Sequence, residues 1–447
     1  MIKINLPMKV SQIINKIQKA GFEAYAVGGC VRDSILGREP DDWDITTSAT
    51  PQEIKSLFVA TIDTGIEHGT VTIMLGKEGF EVTTYRVDGE YLDYRRPSEV
   101  TFTSLLEEDL KRRDFTINAM AYNEKEGLID LFGGREDIKN KTIRCVGNPI
   151  ERFEEDALRI MRAVRFSAQL GYNIEEQTKE AMRLLAPNLD CISLERIQVE
   201  FVKLLKSDNP DYIRAMYEIG ITRVVFSEFD AMIETPQNSP YHIYNVGEHT
   251  IKALKATPND RIIRIATLLH DIGKPLTHTR DKEGKDHFHN HEAVGSELAV
   301  KILRRLRFDN DTIKKVSKIV LYHDRGNGED ITPEFTRWLM YKLSPTLFEA
   351  FLEVKTADYF AQSDYKKEEK ERKIALLREY YNEAIEKDYP VSLKQLAVNG
   401  EELLEIGIER GKEIGEMLEI LLQEVISFPE VNSKENLLEI AKKRMKS

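Results

Sequence analysis

The sequence predicts an α+β chain: a small head with a mixed sheet, followed by all-α segments. Three observations carry this. Thr70–Leu75 and residues 80–85 alternate apolar and polar side chains with period two, joined by a loop with Gly76 and Gly79, and read as a hairpin. From Glu154 onward the apolar period becomes helical, with Leu158, Met161, Val164 and Leu170 as core positions. Near the start, a strand-like run, Ala24–Val27, enters a Gly28-Gly29 turn, and Asp42-Trp43-Asp44 follows shortly after.

Taken in order, residues 11–20 place Ile13, Ile14 and Ile17 at helical spacing, so a helix precedes the strand at 24–27. Asp42 and Asp44 are two apart, and on a strand they share one face while Trp43 and Ile45 turn to the core. In the hairpin, Glu81 shares a face with Thr83 and Tyr85. Glu155-Asp156-Ala157-Leu158-Arg159 opens a helix and sets Asp156 and Arg159 on one side of it. A Pro- and Asn-containing stretch at 234–240 reads as a linker. Eight of the nine histidines then lie between His242 and His323, and from about Asp364 the chain is charged and helical. This gives four expected segments: 1–145, 146–235, 236–363 and 364–447.

At 447 residues, with 41% hydrophobic and 31% charged, the chain can bury several cores and is not disordered. It has no apolar run long enough to span a membrane, and its start lacks the pattern of a secretory signal. Cys30, Cys145 and Cys191 are too few and too scattered for a disulfide framework or a thiolate zinc site, so a reducing cytoplasm fits best. The net charge of -12 argues against a non-specific nucleic-acid coat but permits a local basic groove. Arg86, Arg95, Arg96, Lys111, Arg112 and Arg113 offer one, with acidic residues interleaved.

The chemistry concentrates in two places. Asp42 and Asp44 repel each other unless a cation sits between them, and hard oxygen ligands suit Mg²⁺. Gly28 and Gly29 let backbone N–H groups approach a triphosphate, and Arg32 can add a bidentate phosphate contact. Glu81 is a further acid for the metal side. The second place is Asp156 with Arg159. An ionised Asp only accepts hydrogen bonds and an Arg only donates them. Cytosine and adenine both offer an amino donor beside a ring-nitrogen acceptor, which this pair matches. Uracil and guanine present the opposite polarity. Glu155, four residues from Arg159, can hold the guanidinium in place.

At these residues the sequence resembles the bacterial-type class of CCA-adding tRNA nucleotidyltransferases, shared with poly(A) polymerases. The matching stretches are Gly28-Gly29-X-Val31-Arg32-Asp33, Leu36-Gly37-Arg38-X-Pro40-X-Asp42-X-Asp44-Ile45, Gly65-Ile66-X-His68-Gly69-Thr70-Val71 and Asp109-Leu110-X-Arg112-Arg113-Asp114-Phe115-Thr116-Ile117-Asn118-Ala119. The resemblance implies a nucleotidyltransferase head and a helical neck for base selection and RNA binding. It makes Asp42 and Asp44 the metal-bearing catalytic pair. Arg112, Arg113, Asp114 and Asn118 would bind ribose and triphosphate, and Arg162 would support the selector. The third metal acid is left between Glu81 and Asp114. Residues 86–97 correspond to a flexible loop associated in the family with the switch from C to A addition.

His249, His270-Asp271, His291, His323 and Asp358 follow the order of the HD superfamily of metal-dependent phosphohydrolases, with residues 268–274 as the core motif. That resemblance implies a one- or two-metal site for a transition metal or Mg²⁺ and a hydrolytic side activity on 2′,3′ phosphate ends. His278, His287 and His289 read as peripheral. In the tail, residues 399–415 resemble a tRNA-gripping segment, with Gly411 and Lys412 as RNA contacts; a helix cap is the alternative. The expected activity is template-independent addition of C, C and A to tRNA from CTP and ATP, by a monomer or homodimer. The alternatives are a poly(A) polymerase or A-adding enzyme, and a protein that is primarily an HD phosphohydrolase.

Overall fold

A computed structural model gives the fold and describes residues 2–89 and 100–445. Residues 90–97 of the expected loop lie outside the described residues. The chain divides into two compact units, Met1–Ser227 and Glu228–Ser447.

In the first unit, α1 (Met8–Lys19) buries Val10, Ile13, Ile14 and Ile17. Each such side chain contributes about 1.5–3 kcal/mol when fully buried, so this stripe fixes the helix against the sheet. β1 (Ala24–Val27) is buried along its whole length and leads through Gly28 into α2 (Gly29–Ile35). β2 (Ile45–Thr47) follows, then α3 (Pro51–Leu57), started by a capping box between Thr50 and Glu53. The strands β3 (Thr61–Gly65), β4 (Thr70–Leu75) and β5 (Glu78–Thr84) come next, with β4 and β5 forming the expected hairpin in the register Val71 opposite Val82. β6 (Arg86–Asp88) pairs with β7 (Val100–Phe102), α4 (Leu106–Lys111) follows, and β8 (Met120–Asn123) and β9 (Gly127–Asp130) come after it. The large sheet runs β3-β4-β5-β2-β1-β8-β9, parallel only between β2 and β5, and is therefore mixed as predicted. Its first and last strands, β3 and β9, were not legible in the sequence pattern.

Two local expectations are corrected here. Asp42, Trp43 and Asp44 precede β2 rather than lying in it. The Val27 N–H still reaches the Asp44 carbonyl at 3.0 Å, so the segment is an extended lead-in at the sheet's rim. Ile45 is buried as expected, but Trp43 is only half-buried and lines a groove. The stretch from Glu155 to Arg159 also does not open a single helix. After α5 (Gly134–Lys139), α6 (Pro149–Glu155) ends and the backbone turns extended at Asp156 (φ -142°, ψ 101°) before α7 (Leu158–Leu170) begins. Asn148 and Pro149 start α6, and Gly171, at φ 68°, ends α7.

The second unit is helical apart from one short hairpin, Thr279–Arg280 with Asp286–His287, among the described residues. Helix Pro345–Ala361 runs through its core, burying Phe348, Phe351, Leu352 and Val354. His270 and Asp271 lie just past the helix Arg261–Leu269, in a turn. Leu403, Leu421, Val425, Leu437 and Ala441 form a separate cluster beneath the tail helices.

Candidate active site and metal centre

Asp42, Asp44 and Glu81 line one groove on the first unit. Crowding by protein and the neighbouring charge of Asp42 raise the Asp44 carboxyl above the usual range; Glu81 adds to this and Arg113 opposes it. Three carboxylates thus share one field, which a divalent cation would relieve.

Arg113 connects this groove to the glycine turn. Gly28 adopts φ 84° and ψ -131°, a region open to glycine, and a Cβ there would sit 3.1 Å from Arg113 Nη1. The Gly28 N–H itself donates to the Met120 carbonyl at 3.2 Å, so this residue contributes conformation and close approach, not a free amide. Gly29 begins α2 beside it. Arg112 and Arg113 are both anchored on the fully buried Asp109, at 2.7 and 3.4 Å. Asp109 carried no expected role of its own, although its i, i+3 and i+4 spacing to two arginines signals this anchor.

The remaining head residues form one network. Arg32 spends Nε and Nη2 on Asp33 (2.9 and 2.8 Å) and Nη1 on Asn118 Oδ1 (2.7 Å), so its fork is a brace. Asn118 donates onward to Asp114 Oδ1 at 3.2 Å. Asp114 Oδ1 also accepts the Phe115 N–H, and Oδ2 accepts two bonds from Arg162 at 2.8 and 2.6 Å. Burial pushes the Asp114 carboxyl up, but Arg162, Asn118 and Arg159 outweigh it and bring the pKa down to about 2. With both oxygens so engaged, Asp114 is a structural anion, and Glu81 is the acid that faces the Asp42–Asp44 groove.

At the break between α6 and α7, Asp156 Oδ1 accepts the Leu158 N–H at 3.0 Å and Oδ2 accepts from Arg196 Nη2 at 2.7 Å. Arg159 donates to Glu155 at 2.6 Å, as expected, and also to the carbonyls of Arg152 and Arg112, both at 3.0 Å. The Arg112 contact ties the start of α7 to the segment 109–119. Arg196, on α9 (Leu194–Leu205; α8 is Glu176–Leu185), was missed because forty residues separate it from Asp156 and no local pattern links them.

The second unit brings the six histidines and aspartates together. His249, His270 and Asp358 form one group and Asp271, His291 and His323 another, all buried, with the ligand atoms of each group within 4.8 Å of one another. Asp271 spans both: Oδ2 lies 3.3 Å from His270 Nε2, and Oδ1 lies 3.6 Å from both His291 and His323 Nε2. The imidazole Nδ1 atoms of His270, His291 and His323 donate to the carbonyls of Thr267, Phe288 and Val320 at 2.7 to 2.8 Å, and His249 Nδ1 faces the Ala361 carbonyl at 3.3 Å. That leaves the Nε2 lone pairs of His291 and His323 facing each other at 3.3 Å; the Nε2 atoms of His249 and His270 are also 3.3 Å apart, with Asp358 Oδ1 2.9 Å from His249 Nε2. Buried acceptor facing acceptor is costly, and a cation between them resolves it. His278 and His287 are instead paired with Asp286 and Asp281, both at 2.8 Å.

In the tail, Gly407 and Gly411 take φ 100° and 113°, and Lys412, its side chain 89% exposed, opens the helix Lys412–Ser427. Lys412 pairs with Glu416 at 3.0 Å.

A carboxylate groove beside a glycine turn on a mixed sheet, with helices following it in the chain, is the make-up of a nucleotidyltransferase. Residues 24–144 match the family described as "Poly A polymerase head domain", residues 171–233 "Probable RNA and SrmB- binding site of polymerase A", and residues 292–441 domain 2 of tRNA nucleotidyltransferases. The chain is 36% identical to the CCA-adding enzyme of Ligilactobacillus salivarius, over 99% of this chain and 98% of that protein, and 36% identical to that of Enterococcus faecalis, over 98% and 96%. A match to the Streptococcus suis CCA-adding enzyme reaches 56% identity but covers 46% of this chain and about half of that relative, 51%. The crystal structure of the Bacillus stearothermophilus CCA-adding enzyme in complex with CTP superposes with a TM-score of 0.74 at 30% identity, covering 99% of this chain and 100% of that one. The chain belongs to the CCA-adding enzyme family, whose members are divalent-metal-dependent nucleotidyltransferases. Among the described residues no helix is long and apolar enough to cross a membrane.

Proposed function

We propose that this protein adds C, C and A to the 3′ end of tRNA from CTP and ATP, without a nucleic-acid template, releasing pyrophosphate. The observation that carries this is Arg113. It lies against Gly28, is anchored on Asp109 beside Arg112, and acts on the charge of Asp44, so turn, ribose segment and carboxylate pair are one site. Asp42 and Asp44 hold the divalent cation, with Glu81 as the further acid; hard oxygen donors favour Mg²⁺. When bound, such an ion activates the tRNA 3′-hydroxyl and neutralises the leaving pyrophosphate. Arg113 binds the phosphates at the Gly28-Gly29 turn, and Asn118, held by Arg32 and Asp114, faces the sugar. Asp156 and Arg159 read the base edge, with Glu155 and Arg162 supporting them. Gly411 and Lys412 contact tRNA from the tail. The finer division at 146–235, 236–363 and 364–447, a cytoplasmic location, and a monomer or homodimer complete the assignment.

Asp42→Ala should abolish nucleotide addition with the thermal midpoint preserved. Surviving addition would place the metal elsewhere.

The inward Nε2 atoms support a second reading: the second unit holds one or two divalent ions, transition metal or Mg²⁺, and hydrolyses phosphate esters such as 2′,3′-cyclic ends. Metal analysis of wild type against His270→Ala tests the site. An absence of cyclic-phosphate hydrolysis in protein of proven metal occupancy would sink the activity.

A further inference from the structure

Three guanidiniums converge on one aromatic ring. The Cζ atoms of Arg32, Arg162 and Arg165 lie 5.1, 5.3 and 4.0 Å from the Phe166 centroid, within the range where a ring face attracts a cation. Like charges so close repel, and each arginine brings its own carboxylate: Asp33 at 2.8 Å, Asp114 at 2.6 Å and Glu200 at 2.9 Å. Phe166 is 6% exposed and meets Phe115 edge-on, with centroids 5.8 Å apart.

The positions of these residues in the chain give the arrangement its meaning. Arg32 belongs to α2, directly after the glycine turn. Phe115 sits between Asp114 and Asn118 in the ribose segment. Phe166 is seven residues from Arg159 and four from Arg162, on the same face of α7. One ring therefore touches every segment assigned above to phosphate, sugar and base.

We propose that Phe166 is a positioning residue for nucleotide binding, holding Arg162 on Asp114 and Arg32 on Asn118 so that the base-reading start of α7 stays in register with the head. It works through those arginines and does not touch the nucleotide. The inference rests on the assignment of this unit to CTP and ATP, and its test separates the two.

The full-length protein is first assayed with tRNA lacking CCA; no addition by wild type would overturn the functional assignment itself. With wild type active, Phe166→Leu fills the core without a ring. Its KM for CTP and ATP should rise roughly tenfold, with UTP misincorporation rising alongside. Phe166→Met carries the same expectation if the Leu variant does not fold. Phe166→Tyr keeps the ring and should return KM to within about threefold of wild type. Unchanged KM and fidelity in a folded Leu or Met variant would overturn the proposal. So would a loss of kcat that merely follows the unfolded fraction, or a folded Tyr variant sharing the Leu defect.

Discussion

Asp156→Asn separates base selection from folding. The Asp156 carboxylate has two tasks within the chain, accepting the Leu158 N–H at 3.0 Å through Oδ1 and Arg196 at 2.7 Å through Oδ2. Asparagine keeps one oxygen, so the start of α7 survives. Its other atom becomes a donor where a cytosine or adenine amino group needs an acceptor. The Arg196 pair is partly open, with side chains 26% and 17% exposed, so its loss costs about 1 kcal/mol of stability. A hydrogen bond to a charged acceptor is worth about 1.5–3 kcal/mol. With one decade per 1.36 kcal/mol, kcat/KM for CTP should fall about 10- to 100-fold. The same change removes the acceptor that opposes the uracil carbonyl, so the preference for CTP over UTP should fall further still. Single-nucleotide addition to tRNA lacking CCA, with CTP or UTP alone, measures both, and a thermal melt confirms the fold. A folded variant with the wild-type CTP-to-UTP ratio would refute the role given to Asp156.

Gly28→Ala places a side chain at φ 84°, 3.1 Å from Arg113 Nη1. Stability should fall about 1–3 kcal/mol, and kcat/KM should fall equally for CTP and ATP because Arg113 serves both; wild-type kinetics in a folded variant would contradict this. Asp114 titrates near 2 in the fold against an ordinary value of 3.8, a depressed pKa. Its contribution is therefore fully present above pH 3.8 and is lost as pH falls through about 2. The stability difference between wild type and Asp114→Asn should shrink by about 2 kcal/mol between pH 4 and pH 2 in denaturant titrations, and a difference independent of pH would argue against the ion pair with Arg162.

The strongly periodic parts of the fold were legible in the sequence: the Ile13, Ile14 and Ile17 stripe, the hairpin of β4 and β5, and the change to helix after Glu154. β3 was not, because an exposed edge strand carrying Thr61, Asp63 and Thr64 has no apolar alternation to read. The break at Asp156 was hidden because Glu155 and Arg159 keep helical spacing across it. Site residue types could be read from the sequence, but their engagements could not. Arg32 looks the same in sequence whether its fork meets a phosphate or Asp33, and only packing decides which. Arg196 and Phe166 act over distances along the chain that no local pattern records.

The central claim is ordered addition of two cytidines and one adenosine by a single site. Purified protein should be incubated with Mg²⁺ and tRNA lacking CCA, with CTP alone, ATP alone and both together. The expected result is extension by two residues with CTP alone and by three, ending in A, with both. Incorporation of A alone onto that substrate would contradict it.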